Sequence, residues 1–256
     1  MRALLVPLAV AGCGRLDFDP GQGAADARAG IMLVSSATGN NGTAATTVTS
    51  GPIDCEQGNL LVVMVRTEDS ADTTFAVSDD AQNAFTCIPA SLVNADTGDA
   101  GSGVASLVIC YAHSIAAQVG DHVQATWTNE NTNMPESVVA SLIVRQYAGT
   151  DPSVPLDIAA GHWVPASDMT GTISVTLTPS NAGDLIVAVG VFDYGQSNVL
   201  TWTAGAGYVL GTNEPMQDVQ SEDTLSAQAG PQDALLVCSQ SGFALGISAA
   251  AFKPAT

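Results

Sequence analysis

Two stretches of this 256-residue chain, Leu60–Val65 and Leu185–Val189, are apolar at every consecutive position. A strand of an ordinary sandwich alternates apolar and polar residues, because one face of its sheet meets water. These two runs do not alternate, so both faces of each are expected to be buried. Each follows the same kind of turn, Gly58-Asn59 before the first and Gly183-Asp184 before the second. A chain built around two such strands has to cover each of them from two sides.

The rest of the sequence has no amphipathic helical period. It consists of apolar runs of about five to ten residues broken by Gly, Asn, Asp, Ser and Pro, the pattern of an all-β protein. Strands are expected at Ile31–Ser35, Ala45–Thr49, Asn59–Arg66, Ala84–Ile88, Val104–His113, His122–Thr128 and Ser137–Tyr147. A second series follows at Leu156–Trp163, Thr172–Thr178, Asp184–Phe192, Val199–Trp202, Tyr208–Gly211, Asp223–Ala227, Ala234–Cys238 and Ala244–Phe252. The two series read as one pattern used twice. Thr46–Thr49 leads to Gly58–Val65 as Ser174–Leu177 leads to Gly183–Val189, and Val138–Val144 answers Ala244–Ala250. The period, roughly 110 to 125 residues, suits one eight-stranded sandwich and is far too long for a solenoid repeat. The expected fold is therefore a jelly-roll-like antiparallel β-sandwich made of two duplicated eight-stranded halves, residues 31–148 and 149–256, packed together through the continuous apolar runs.

Charge narrows the partners. Six Lys+Arg stand against 25 Asp+Glu, a net charge of −19, so the clustered cations that neutralise nucleic-acid phosphates are missing. Only 12% of residues are charged and 46% are hydrophobic, with a mean hydropathy of +0.25, which is the composition of a packed chain and not of a disordered one.

Residues 1–12 run from Arg2 through a short apolar stretch to small residues, the layout of a secretory signal and too short to span a bilayer. Val10-Ala11-Gly12-Cys13 resembles the lipobox of bacterial lipoproteins. The resemblance implies that the Cys13 thiol accepts a diacylglycerol, that the peptide is cut before it, and that the acyl chains anchor the protein in the lipid bilayer. Gly14 stands where some lipoproteins carry an inner-membrane retention aspartate, so the implied address is the outer membrane or cell surface. Residues 13–30, rich in Gly, Ala and Asp, are expected to be a flexible tether. Cleavage removes Arg2 and leaves five bases against 25 acids, or −20.

With Cys13 assigned to lipid, Cys55, Cys87, Cys110 and Cys238 remain, an even number that suits two disulfides in an oxidising compartment. Three pairings are open. Cys87 with Cys110 is expected because both lie in short apolar segments joined by a glycine-rich turn, which leaves Cys55 with Cys238. No close Cys or His pair is spaced for zinc.

A second resemblance spans Ile31 to Thr256. The order Gly-Asn/Asp-Leu-Leu/Ile-Val, then Val77–Phe85, Tyr111-Ala112-His113, Val144-Arg145-Gln146-Tyr147-Ala148-Gly149-Thr150-Asp151-Pro152 and the closing Ala249–Pro254 resembles an uncharacterised β-sandwich domain of secreted bacterial proteins. It implies a jelly-roll-like extracellular module and no particular activity.

Candidate chemistry is sparse. Gly101-Ser102-Gly103 lacks the strand-to-helix setting of a nucleophile elbow, and Glu68, Asp69, Glu130, Glu136, Asp193, Glu222 and Asp223 read as solvated loop charges. Hard cations take several loop oxygens, so Asp69, Asp72, Asp79 and Asp80 form the candidate Ca2+ cluster. Trp127, Trp163 and Trp202 near strand ends are the candidate ligand-binding platforms for sugar rings. The expected function is a non-catalytic lipoprotein that binds a glycan or surface protein; the alternative is an extracellular hydrolase of polysaccharide or ester substrates.

Overall fold

The computed structural model describes residues 30–68, 73–94, 105–164, 171–193, 201–214, 219–239 and 244–256. Among them the protein is all-β. In the first half the strands are β1 (Met32–Asn40), β2 (Thr47–Thr49), β3 (Ile53–Cys55), β4 (Leu60–Glu68), β5 (Thr73–Asp79), β6 (Thr86–Cys87), β7 (Val93–Asn94), β8 (Ala105–Ala112), β9 (Gln118–Asp121), β10 (Val123–Asn129), β11 (Met134–Pro135) and β12 (Ala140–Ala148). In the second they are β13 (Leu156–Val164), β14 (Thr172–Leu177), β15 (Leu185–Asp193), β16 (Trp202–Ala204), β17 (Val209–Glu214), β18 (Val219–Leu225), β19 (Gln232–Cys238) and β20 (Ala244–Phe252).

Each half is an antiparallel β-sandwich, and the two share one strand order. The large sheet of the first half runs β1-β12-β4-β8-β6, and that of the second β13-β20-β15-β18-β17. Opposite the first lies β10 flanked by β2 and β5, opposite the second β19 flanked by β14 and β16. In both, the first strand pairs with the last and forms an edge of the large sheet, a jelly-roll-like order. Gly58 and Gly183 occupy the same left-handed turn before β4 and β15, with φ of 85° and 87°, a conformation that costs glycine little.

The sheets stack in four layers with three cores between them. Leu61, Val63 and Val65 of β4 point outward into a core with Val48, Val123 and Trp127. Leu60, Val62 and Met64 point the other way, into a middle core that they share with Leu185, Val187 and Val189 of β15. Ile186 and Ala188 then face the outer core of the second half, with Leu236 and Trp202. Both faces of β4 and β15 are thus buried, as their continuous apolar sequence requires. The link between the halves is held down as well. Asp151 N–H donates to Lys253 O at 2.9 Å and Ala255 N–H to Gly149 O at 2.8 Å, while His113 Nδ1 lies 2.8 Å from Pro152 O.

Cys87 and Cys110 face each other across β6 and β8 and are disulfide-bonded. The expected Cys55–Cys238 bond is not formed, and both sulfurs are buried. The reason is topological: Cys55 sits in the outer core of the first half and Cys238 in that of the second, with the middle core and two sheets between them. Cys55 Sγ instead lies 3.4 Å from the buried Asp121 Oδ2, and burial first, then the nearby carboxylates, push its thiol up to about 12.

Because the middle core belongs to both halves, the described protein should melt as one unit. Leu60→Ala, at a fully buried position, is expected to cost about 2–5 kcal/mol and to lower a single calorimetric transition; two separate transitions, only one of them shifted, would count against a shared core.

Candidate functional site

Charged groups gather along one edge of the middle core, where β12 of the first half meets β18 of the second. There Arg145 Nη2 lies 3.0 Å from Asp223 Oδ2, and Tyr147 OH donates to the same oxygen at 2.9 Å. The guanidinium carbon is 5.4 Å from the centroid of the Tyr147 ring. Arg145 and Tyr147 are 2% and 1% exposed. Burial pushes the Tyr147 phenol well above its ordinary value, against a smaller opposing pull from Arg145. Strand register places these groups together: residues 143, 145 and 147 of β12 all face inward because side chains alternate along the strand, and Asp223 pairs with Val187, another inward residue. Gly211 on β17 makes room, since a Cβ there would collide with Arg145 Nη1.

Above this trio a pocket of about 230 Å3 opens between the halves. Tyr147 and Asp223 line it on the polar side, Ile31, Leu185 and Thr224 add to its walls, and Leu33, Val209 and Leu225 form the rest. The last three are 46%, 67% and 43% exposed, an apolar rim at a seam. Its volume is somewhat below the roughly 300–1,000 Å3 of drug-sized sites and suits a single ring or short chain. Both donors of the trio go to Asp223 Oδ2; within the described residues no hydrogen bond takes Oδ1.

A second buried acid lies in the outer core of the second half. Glu222 is 0% exposed and accepts from Gly205 N–H at 3.1 Å and Leu235 N–H at 2.9 Å. Burial pushes its carboxyl up to about 7, the two backbone donors opposing. Burial likewise raises the nearby Tyr208 phenol. Glu222 and Asp223 are therefore strand residues with fixed partners, not the solvated loop charges expected from sequence.

The other sequence candidates are dispersed. Trp127 is in the first outer core, its Nε1–H donating to Glu136 O at 2.9 Å; Trp202 is in the second outer core; Trp163 packs against the middle core beside Gly246. The three rings share no surface and form no platform for a sugar. Asp79 accepts from Asn83 N–H and Nδ2 at 2.8 and 2.6 Å, and Asp80 Oδ2 lies 3.0 Å from His122 Nδ1, so these carboxylates order a turn. Asp69 and Asp72 lie outside the described residues, as does Cys13. No group of three or more His, Cys, Asp or Glu among the described residues is placed to hold a metal ion. Asp157 accepts from Ser180 N–H and Oγ–H at 2.6 and 2.7 Å, so it too is held by a turn.

No protein-family model matches the chain, and no curated protein matches it.

The raised Glu222 predicts the sign of a pH effect. Unfolded, it titrates near 4.5, and folded near 7. Below 4.5 it is protonated in both states and its contribution is fully present. Between 4.5 and 7 the folded state alone keeps the proton, so stability falls as pH rises, by on the order of 3 kcal/mol, and levels off above. Denaturant titrations from pH 4 to 8 should show this decline in the wild type and a flatter profile in Glu222→Gln; parallel profiles would remove Glu222 as its source.

Proposed function

We propose that this protein is an exported, lipid-anchored binding protein that takes a group of its ligand into the pocket between its two sandwiches. The observation that carries the reading is the pocket itself: apolar walls drawn from both halves, closed on one side by a buried, hydrogen-bonded Asp223–Tyr147–Arg145 trio. Few convergent polar groups in an apolar concavity are the usual makings of a specific binding site. The pocket is large enough for one ring or side chain, which fits recognition of the tip of a larger ligand, a glycan or a surface protein.

Export is supported by the lipobox-like Val10–Cys13 and by the Cys87–Cys110 disulfide, a bond that persists mainly in oxidising compartments. In this reading the bilayer is the second partner, reached through acylated Cys13, and the −20 charge of the cleaved chain, five bases against 25 acids, keeps the tethered body soluble. Binding is favoured over hydrolysis because the described lining includes no serine, cysteine or histidine, and its single carboxylate is already held by Arg145 and Tyr147.

Two measurements test the two parts of the proposal. In a bacterial host fed an alkyne fatty acid, the full chain should be labelled and sediment with membranes, and Cys13→Ser should lose both; a soluble, unlabelled wild type would refute the anchor. A fragment screen by NMR should give shifts clustered at Leu33, Val209 and Leu225, and hits scattered elsewhere, or none, would refute the pocket.

A further inference from the structure

The duplicated fold contains its own comparison for this pocket. Leu60 of β4 and Leu185 of β15 follow the same glycine turn, so they occupy equivalent places. Tyr147 pairs with Leu60 and Phe252 with Leu185, which makes Tyr147 and Phe252 equivalent. By the same register Tyr111, opposite Val62, corresponds to Asp223, opposite Val187. Leu33, opposite Tyr147, corresponds to Leu156, opposite Phe252. The halves meet about a local two-fold relation, since β1 lies against β17 as β13 lies against β7.

Across that relation the same contact is made twice with different chemistry. On one side the Tyr111 ring of the first half packs edge-on against Phe252 of the second, with ring centroids 5.6 Å apart and planes at 66°. On the other, Asp223 of the second half meets Tyr147 of the first through a hydrogen bond. An aspartate is shorter than a tyrosine by a whole ring. Where the ring is present, Leu156 is half-buried. Where it is absent, Leu33 is 46% exposed and the pocket opens.

We propose that the pocket binds one aromatic ring bearing a hydrogen-bond donor, a phenol-type group, seated edge-on to Tyr147 as Tyr111 sits against Phe252, with its donor to Asp223. The inference deepens the binding reading given above and rests on it. Aliphatic walls from Leu33, Leu185, Val209 and Leu225 match an aromatic ring better than a hydroxylated sugar, whose polar edges they would leave unpaired. The carboxylate oxygen Oδ1, which neither Arg145 nor Tyr147 takes, accepts the ligand's donor. That interaction selects a phenol over a plain hydrocarbon ring.

The probes are p-cresol, toluene, N-acetyl-tyrosinamide, methyl glucoside and octanoate, titrated into the full chain and followed by NMR shifts of the pocket residues. p-Cresol is expected to bind in the millimolar range, as befits so few atoms, and toluene at least tenfold more weakly. Tighter binding of N-acetyl-tyrosinamide than of p-cresol would mark a tyrosine side chain of a partner as the source; binding of p-cresol alone would mark a free phenol. Val209→Trp, at an exposed rim position away from the ion pair, should abolish binding while leaving the melting temperature unchanged. Asp223→Val, which removes the acceptor, should bring p-cresol and toluene to within about twofold of each other. Equal binding of p-cresol and toluene to the wild type overturns the inference. So does occupation of the pocket by octanoate or methyl glucoside in preference to the aromatic probes, although a binding function would then stand. Absence of any pocket shift with all five probes overturns this inference and the binding reading together.

Discussion

Burial of both faces of β4 and β15 is the constraint from which the rest of the architecture follows. A β-strand offers side chains to two sides, and a strand with none to spare for water needs a sheet over each. One jelly roll supplies only one such cover. The second comes from the other half, so neither sandwich leaves the face of its large sheet to solvent, and the middle core is common property. The fixed linker and the C-terminal pairing with it, from Asp151 and Gly149 to Lys253 and Ala255, then keep the register of one sheet over the other.

Packing two copies face to face sets up near-symmetry, and function in such an arrangement resides where the symmetry is broken. An apolar interface obeys the same packing rules at both of its ends. The end with Tyr111 and Phe252 follows them and is filled by rings. The end with Asp223, Tyr147 and Arg145 does not: a buried ion pair adds less to stability than well-packed apolar groups of the same size, and an aspartate in place of a tyrosine leaves space. Gly211 belongs to the same departure, because it yields its side-chain volume to the guanidinium. Four residues on three strands thus depart together from what packing alone would select.

Much of the fold was legible in the sequence, and little of the site. The consecutive apolar runs foretold the middle core because that signal depends on the face count of a strand and on nothing distant. The repeated glycine turns foretold the duplication for a similar local reason. Thr73–Asp79 does not read as a strand, because its alternation of Thr, Phe and Val with small residues is weak and is completed only by pairing with β10, and its acidic end reads as a cation loop. Parity alone points to a Cys55–Cys238 bond, because it cannot see that two sheets and the middle core keep the two sulfurs apart. Glu222 and Asp223 looked like surface acids because composition carries no information on partners. Aligning the halves residue by residue would have set Cys110-Tyr111 against Glu222-Asp223 and flagged the position.

That alignment has another consequence. The sulfur of Cys110, bonded to Cys87, and the carboxyl of Glu222, cradled by two backbone amides, stand at equivalent points of the two outer cores. One copy closes its far wall with a covalent bond, which a reductant opens and a change of acidity leaves alone. Its twin closes the same wall with a buried carboxyl held by two amides, on which a rise in pH places a charge that burial penalises and which a reductant leaves alone. Divergence after duplication has therefore given two near-identical sandwiches different weaknesses, and an environment that loosens one does not by the same stroke loosen the other.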